Sequence, residues 1–507
     1  MLHDNKILMA VGDRPVYLLP YQANRHGLIA GASGTGKTIT LKVMAESFSS
    51  LGVPVFLADI KSDLAGMCLP GEDNAAMQER IARLGIGESF RYTDFPTRFW
   101  DIWGEFGHTV KTTVTDMGPY LLARLLDLTQ VQSDALQVIF RIADEQGLLL
   151  LDLKDLRAMV RFVGENRKDY ANEYGMIAPQ TIGAIQRSLL ALEDSGGNLF
   201  FGEPALDIFD WIRTDSTGRG YINILHSVQL AQNPALYTTF MLWMLSELYE
   251  RMPEAGDLEK PRIVFFFDEA HMLFTDAPKA LLQKVEQIIK LIRSKGVGIY
   301  FISQSPSDLP DPVLAQLSNR VQHALRAYTP AEQKAVRTAA DTFRPNPNFD
   351  TKDVITELST GEALVSFLDE KGAPGVVERA WILPPQSKMG TITDDVRKKV
   401  INNSDLFIKY HQEIDRESAY ELLARDEEAK LAAAEKAAQE KAEAEAAALA
   451  EKEAAKAAKE AEKAAKAKKK EKSFVTKAVE RTASSAMSAI GRELGRSIFR
   501  GLFGSSK

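Results

Sequence analysis

Gly31-Ala32-Ser33-Gly34-Thr35-Gly36-Lys37-Thr38 is the segment that is most informative about the fold. It follows an apolar run at 26–30 and opens a segment with helical periodicity at 37–50, so it predicts a strand, a glycine-rich turn and a helix. A second apolar run at 54–60 completes a βαβ unit. Glycines in such a turn let successive backbone N–H groups curl around phosphate oxygens at a helix N-terminus. The alternative is a glycine-rich turn that binds no nucleotide.

The same stretch supplies side chains suited to ATP and Mg²⁺. Lys37 is predicted to reach the β and γ phosphates, and the Thr38 hydroxyl is a predicted ligand of Mg²⁺. We therefore expect the whole loop from Gly31 to Thr38 to bind ATP.

A further apolar strand, predicted at 263–267, is followed by two adjacent carboxylates, Asp268 and Glu269. After a full phosphate loop, this pattern predicts that Asp268 holds the Mg²⁺ shell and that Glu269 polarises the attacking water. The letters Asp268-Glu269-Ala270-His271 also spell the box of one helicase superfamily. The further motifs of that superfamily are absent, so His271 is interpreted as a residue at the start of a helix.

Two more polar residues lie close to the next strand. Gln304 directly follows the apolar run 298–303. We expect this run to be a strand between the two motif strands, so that the Gln304 amide would sense the γ-phosphate. Arg293 ends the preceding helix and would reach a neighbouring subunit's γ-phosphate as an arginine finger. The alternatives are an ordinary strand-to-loop glutamine and a cation at a helix C-terminus.

Strands and helices alternate again after residue 215. They predict an α/β fold of the P-loop, RecA-like kind, with a mostly parallel sheet, helices on both faces, a helical insertion and a long helical C-terminal extension. A hairpin is expected at 361–368 and 376–381, and Pro384-Pro385 is expected to close the globular body. The predicted parts are the first core segment (1–66), a helical insertion (67–214), the second core segment (215–385), a helical connector (386–425), a helical spacer (426–472) and a basic amphipathic tail (473–507).

The arginine eleven positions before a strand-end glutamine, together with both motifs, resembles the HerA/FtsK superfamily of ring-forming ATPases. Three further segments are similar to bacterial YjgR-type HerA-like proteins: 59–67, 180–183 and 202–205. The resemblance covers roughly residues 1–385 and a short tail at 473–507. It implies a homo-oligomeric, hexameric ring that acts on nucleic acid. It also implies a role for each site residue. Lys37 and Thr38 would bind the nucleotide, Asp268 the metal, and Glu269 would act as the base. Gln304 would be the sensor and Arg293 the arginine finger.

The composition narrows the remaining classes. With 507 residues, 45% hydrophobic and 26% charged, the chain is typical of globular proteins. A net charge of −7 means that DNA would have to meet a local basic groove. The single cysteine excludes an intramolecular disulfide. The first twenty residues carry charges and lack a secretory pattern, so a cytoplasmic protein is expected.

The C-terminal part departs from this average composition. Residues 426–472 contain twelve acidic residues and twelve lysines, with alanine between them, and predict a helix without a coiled-coil seam. The basic tail, 473–507, places Arg492, Arg496 and Arg500 beside an apolar helical face. Such a tail suits an anionic membrane surface, DNA phosphates, or docking to a protein partner or to the ring itself.

Three functions remain open from the sequence. The first is a Mg²⁺-dependent ATPase motor, a DNA helicase or translocase of the HerA-like type. The second is an ATP-dependent switch or scaffold that recruits a partner or membrane through its tail, without translocation. A small-molecule P-loop kinase is the least favoured of the three functions, because the adjacent Asp268 and Glu269 suit the activation of water.

Overall fold

One sheet of 13 strands organises the protein. The computed structural model describes residues 1–275, 279–412 and 414–475. The strands are β1 (Leu2–His3), β2 (Lys6–Val11), β3 (Pro15–Leu18), β4 (Gly27–Ala30), β5 (Val55–Asp59), β6 (Thr97–Asp101), β7 (His108–Thr109), β8 (Ile222–His226), β9 (Ile263–Phe267), β10 (Val297–Ser303), β11 (Asn319–Gln322), β12 (Glu362–Ser366) and β13 (Glu378–Ile382).

The strand order is β1-β2-β13-β12-β11-β4-β10-β9-β5-β8-β6-β7, and β3 pairs with β2. Every pair from β11 to β7 is parallel, while the pairs that involve β1, β2, β3, β12 and β13 are antiparallel. The prediction of a mostly parallel α/β sheet is therefore confirmed, and the expected hairpin is present as β12 and β13.

Helices fill the connections between the strands. They are α1 (Lys37–Ser50), α2 (Ala75–Leu84), α3 (Val114–Leu125), α4 (Gln130–Glu145), α5 (Leu153–Glu165), α6 (Ala171–Tyr174), α7 (Pro179–Asp194), α8 (Gly197–Phe200), α9 (Pro234–Arg251), α10 (Lys279–Ile292), α11 (Asp311–Leu314), α12 (Pro330–Asp341), α13 (Thr351–Glu357), α14 (Asp394–Asn402), α15 (Phe407–His411) and α16 (Ala419–Val475). Among the described residues, no helix is long and apolar enough to cross a bilayer.

The central strands are apolar on both faces because helices cover both sides of the sheet. Phe265 and Phe267 of β9 point into a core shared with α3 to α5, α7, α9 and α10. Phe266, between them in sequence, points into the opposite core, where Phe48 of α1 lies 6.4 Å from it between ring centroids. This two-sided burial explains why β9 is a continuous apolar run rather than an alternating one.

Two strands of the sheet, β6 and β7, fall inside 67–214, where the sequence suggested only a helical insertion. Strand β6 carries charged residues, yet Arg98, its second residue, is almost completely buried. Its guanidinium donates to the Asp210 carbonyl oxygen at 2.9 Å and to Asp405 at 2.6 Å, and it stacks on Tyr221. These partners are distant in sequence, so the local pattern does not reveal the strand.

The compact unit also extends beyond Pro384-Pro385, because it spans Met1–Ala424. In the segment after the prolines, the Tyr410 side chain is buried, packs edge-on against Trp100 and donates a hydrogen bond of 2.6 Å to Asp210. Residues 386–424 are thus part of the folded core rather than a connector outside it.

Helix α16 is continuous for 57 residues, which confirms the helix predicted over 426–472. From Arg425 onwards the chain forms a second unit. Its large apolar side chains Leu431 and Leu449 are exposed, as expected of a helix without a packing seam. The amphipathic pattern predicted around Arg492, Arg496 and Arg500 lies outside the described residues.

Candidate active site

The glycine-rich loop connects β4 to α1, as its sequence predicts. Gly36 has φ 119°, and a Cβ there would lie 3.2 Å from the Cα of Gly361, so the turn requires a glycine. No amide N–H of Ser33, Gly34, Thr35 or Gly36 donates to a protein acceptor within the described residues. Four uncommitted donors in a loop that opens a helix are the chemistry that a phosphate group needs.

Lys37 is buried at the base of this loop. Its ammonium donates to the carbonyl oxygens of Gly31 at 2.7 Å and Ala32 at 3.1 Å. Burial lowers the pKa of Lys37 and the charge of Lys61 lowers it further, while Glu269 and Asp268 oppose the change. The half-buried Thr38 follows in the first turn of α1.

Strand pairing brings the two sequence motifs to one edge of the sheet. Strand β10 lies between β4 and β9, with Ser303 paired to Ala30 and Phe301 paired to Phe267. The glycine-rich loop and Asp268 therefore leave the sheet two strands apart, about 10 Å. Gln304 leaves β10 between them, exposed and without a side-chain hydrogen bond to described residues.

The carboxylates of Asp268 and Glu269 are poorly exposed, at 13% and 16% of their side-chain surface. Burial raises the pKa of Asp268, and the neighbouring Glu269 charge adds to the rise. Burial alone would also raise the pKa of Glu269, but the hydrogen bond and charge of Lys61 lower it below its ordinary value. Glu269 therefore stays ionised beside a carboxyl group that is harder to ionise.

Glu269 is held in an unusual backbone conformation, with φ 47°. For a residue other than glycine this left-handed geometry costs about 1–3 kcal/mol. One carboxylate atom, Oε1, accepts a hydrogen bond of 3.0 Å from Lys61. The other, Oε2, is buried and has no hydrogen-bond partner among the residues that the structure describes, and His271 Nδ1 lies 3.5 Å away. An acceptor left free in this way suits the proton of a water molecule, and the acid pair suits a hard divalent cation.

Arg293 lies at the opposite edge of the sheet. It is exposed in a 3-10 helix, Arg293–Lys295, just before the amino end of β10. Strand β10 has seven residues and spans about 20 Å at roughly 3.3 Å per residue. Arg293 is therefore not brought to the glycine-rich loop of its own chain.

A family comparison fits this arrangement. The family model described as "Helicase HerA-like C-terminal" matches residues 4–507. The chain belongs to the HerA-like helicase family.

Curated relatives share only part of their length with this chain. The DNA double-strand break repair helicase HerA of Sulfolobus acidocaldarius is 21% identical over 359 residues, which is 68% of this chain and 62% of the relative. A probable helicase of Methanocaldococcus jannaschii is 31% identical over 125 residues, which is 24% of this chain and 22% of the relative. The chain thus spans less than two thirds of either relative.

Solved structures that this chain matches include the bacterial conjugative coupling protein TrwBdeltaN70. Its TM-score is 0.49 at 14% identity, covering 77% of this chain and 91% of that one. VirB4 of Thermoanaerobacter pseudethanolicus has a TM-score of 0.47 at 16% identity, covering 75% of this chain and 97% of that one.

His323 is a residue of this HerA-like site that the sequence analysis did not identify. It follows β11, is fully buried, and lies beneath the loop, where a Cβ on Gly31 would be 2.5 Å from the His323 Cβ. Because a carbonyl oxygen only accepts, Nδ1 donates to the Glu362 oxygen at 3.1 Å, and Nε2 accepts from the Thr40 hydroxyl at 2.7 Å. A neutral imidazole thus links α1 to β12 under the glycine-rich loop.

We expect His323 to make the fold sensitive to acid. Burial lowers its pKa from 6.5 to about 4, so between these pH values the unfolded chain binds a proton that the folded chain does not. Its contribution to the free energy of unfolding therefore falls as the pH drops, by up to about 1.4 kcal/mol per pH unit.

Urea unfolding of His323→Asn and wild-type protein between pH 7 and pH 4.5 tests this expectation. The variant should be less stable at pH 7, and the difference should narrow as the pH falls. The matched control is His3→Asn, because the His3 side chain is 59% exposed. If the difference in unfolding free energy between His323→Asn and the wild type stays constant over this pH range, the assignment is wrong.

Proposed function

We propose that this chain is a Mg²⁺-dependent ATPase that assembles as a hexameric ring and moves along DNA. The observation that carries the proposal is the pairing of β4, β10 and β9, which brings a phosphate-binding loop and an acid pair to one sheet edge. A curated relative named as a DNA repair helicase supports DNA as the substrate. A cytoplasmic location belongs to the same proposal, because the motor consumes ATP.

Each group at the edge has a task in hydrolysis. The free amides of Ser33 to Gly36 bind the phosphate oxygens, and Lys37 leaves the loop carbonyls to bind the terminal phosphates. Thr38 and Asp268 would hold the Mg²⁺ shell, and the ion, when bound, neutralises charge that develops on the phosphate oxygens. Glu269 orients water and accepts its proton at the unpaired Oε2. Gln304 contacts the γ-phosphate or the water.

The proposed function gives each part of the chain a role. We assign 1–66 and 215–385 to the ATPase core, and 67–214 to an insertion that also contributes β6 and β7. Residues 386–424 complete the core, 426–472 act as a helical spacer, and 473–507 form the tail that contacts a partner, an anionic membrane or DNA.

Glu269→Gln tests the hydrolytic step with a change of one charge. Turnover of ATP should fall about 100-fold or more, because general-base groups contribute on this scale, while nucleotide binding persists. The matched control is Glu378→Gln, because Glu378 is also 16% exposed but pairs with Arg14. Lys37→Ala should lose nucleotide binding. Wild-type turnover by either Glu269→Gln or Lys37→Ala would show that the site is misassigned.

Mixing two inactive variants tests the ring. Arg293→Ala and Glu269→Gln should each hydrolyse ATP poorly. In an equal mixture about a quarter of the sites combine an intact Glu269 with a neighbouring subunit's intact Arg293, so activity should return in part. Arg293→Ala with full activity, or a mixture that recovers none, would exclude the finger in trans.

The ATPase response to linear duplex DNA distinguishes a motor from a switch. We expect stimulation that weakens with salt, because phosphate contacts release counterions. It should survive truncation at Asp426, since the core unit ends at Ala424. A rate unaffected by DNA at every salt concentration would contradict the motor and favour a switch that recruits a partner or membrane through 473–507.

A further inference from the structure

Lys61 is a cation of the candidate active site to which the proposed steps of ATP hydrolysis assign no role. Its ammonium lies 3.0 Å from Glu269 Oε1 and 3.8 Å from Asp268 Oδ2. Among the described residues, it is the only lysine or arginine in ion-pair contact with either carboxylate. It therefore supplies the positive charge that two crowded, poorly hydrated carboxylates require.

The two lysines of the site have different partners. Lys37 donates to the carbonyl oxygens of the glycine-rich loop and makes no ion pair with the acids. Lys61 contacts the acids and makes no hydrogen bond to the described residues of that loop. The positive charge of the loop and the positive charge of the acid pair thus come from separate parts of the chain.

A stiff turn after β5 places Lys61. The buried carboxylate of Asp59 accepts hydrogen bonds from the amides of Asp63 and Leu64, each at 3.2 Å. Ser62, the next residue after Lys61, has φ 57°, so the chain reverses sharply at this point. The turn fixes where the lysine stem leaves the sheet edge, while the stem itself has freedom to move.

That freedom follows from exposure, because 48% of the Lys61 side chain is accessible to solvent. An ion pair exposed to this degree is weak and is easily exchanged for another cation. A divalent ion at Asp268 carries twice the charge and competes directly for the same oxygens.

We infer that Lys61 is a positioning residue that offsets part of the negative charge of the Asp268–Glu269 pair before metal binds, releases Asp268 when Mg²⁺ binds, and holds Glu269 through Oε1 with Oε2 left free for water. This inference rests on the proposed function and assigns the residue that sets the metal dependence of its site. It links the turn after β5 to the acid pair, so that the position of that turn sets where Glu269 is held.

Removing the charge has opposite effects on two ligands. Without the Lys61 charge, the sheet edge that carries Asp268 and Glu269 is more negative. A nucleotide that has no bound metal therefore binds there more weakly. Mg²⁺ binds more tightly, because it meets the same acids without a competing ammonium. The ratio of the nucleotide Kd in EDTA to that in Mg²⁺ should therefore rise, by about three- to tenfold for one half-exposed charge.

The test is binding of a fluorescent ADP to the full chain, in EDTA and across a MgCl₂ titration. Lys61→Met keeps the stem and removes the charge, and Lys61→Arg restores the charge. The matched control is Lys352→Met, because Lys352 is also 48% exposed but pairs with Asp341 on another part of the surface. Thermal melting checks that each variant is folded, and Lys61→Gln serves if Lys61→Met is not.

The inference predicts a raised Kd ratio and a lower Mg²⁺ midpoint for Lys61→Met, with values near wild type for Lys61→Arg and Lys352→Met. In ATPase assays Lys61→Met should lower kcat more than it raises KM. A Kd ratio and Mg²⁺ midpoint within twofold of wild type would overturn the role of Lys61, while the nucleotide site would stand. A wild-type chain that binds no nucleotide in either condition would overturn the proposed function and this inference together.

Discussion

The parallel pairing of β10 with both β4 and β9 is the constraint on which the site depends. The residues that pair at the carboxyl end are Ser303 with Ala30 on one side and Phe301 with Phe267 on the other. A shift of either pair by one residue would turn the buried side chains of β10 to the wrong face of the sheet. Because both cores fix the register, the loop and the acid pair are held at one edge by packing far from the chemistry.

Local strain and charge at that edge are balanced by residues from other strands. Glu269 adopts a left-handed conformation, and its charge is met by Lys61 from the turn after β5. The glycine-rich loop is supported from below by His323, which follows β11 and bonds to α1 and β12. Strands on both sides of the central three therefore stabilise an arrangement that the motif residues alone would not hold.

Features that depend on neighbours in sequence could be predicted. The loop from Gly31 to Thr38 needs its own glycines, and the run before Asp268 is apolar because β9 is covered on both faces. The place of β10 between the two motif strands also follows from the pattern of such sheets, and the pairing confirms it. The long helix over 426–472 follows from alanine, glutamate and lysine propensity.

Features that depend on distant partners could not be predicted. Strand β6 contains Arg98, which looks exposed in sequence but is buried by contacts from Asp210, Tyr221 and Asp405. His323 carries no local signal, because its partners Thr40 and Glu362 meet only in the folded sheet. Lys61 is likewise one charged residue after a strand until the fold brings it to Glu269, more than two hundred positions away.

A cryo-electron-microscopy map of the full chain carrying Glu269→Gln, prepared with ATP and Mg²⁺, would show directly whether the glycine-rich loop and the acid pair form the nucleotide site. We expect nucleotide phosphates within the loop from Gly31 to Thr38, with the metal near Thr38 and Asp268. We also expect a neighbouring subunit's Arg293 at the γ-phosphate. Nucleotide bound at any other place on the chain, or a metal that Asp268 does not approach, would show that the loop and the acid pair do not form the nucleotide site.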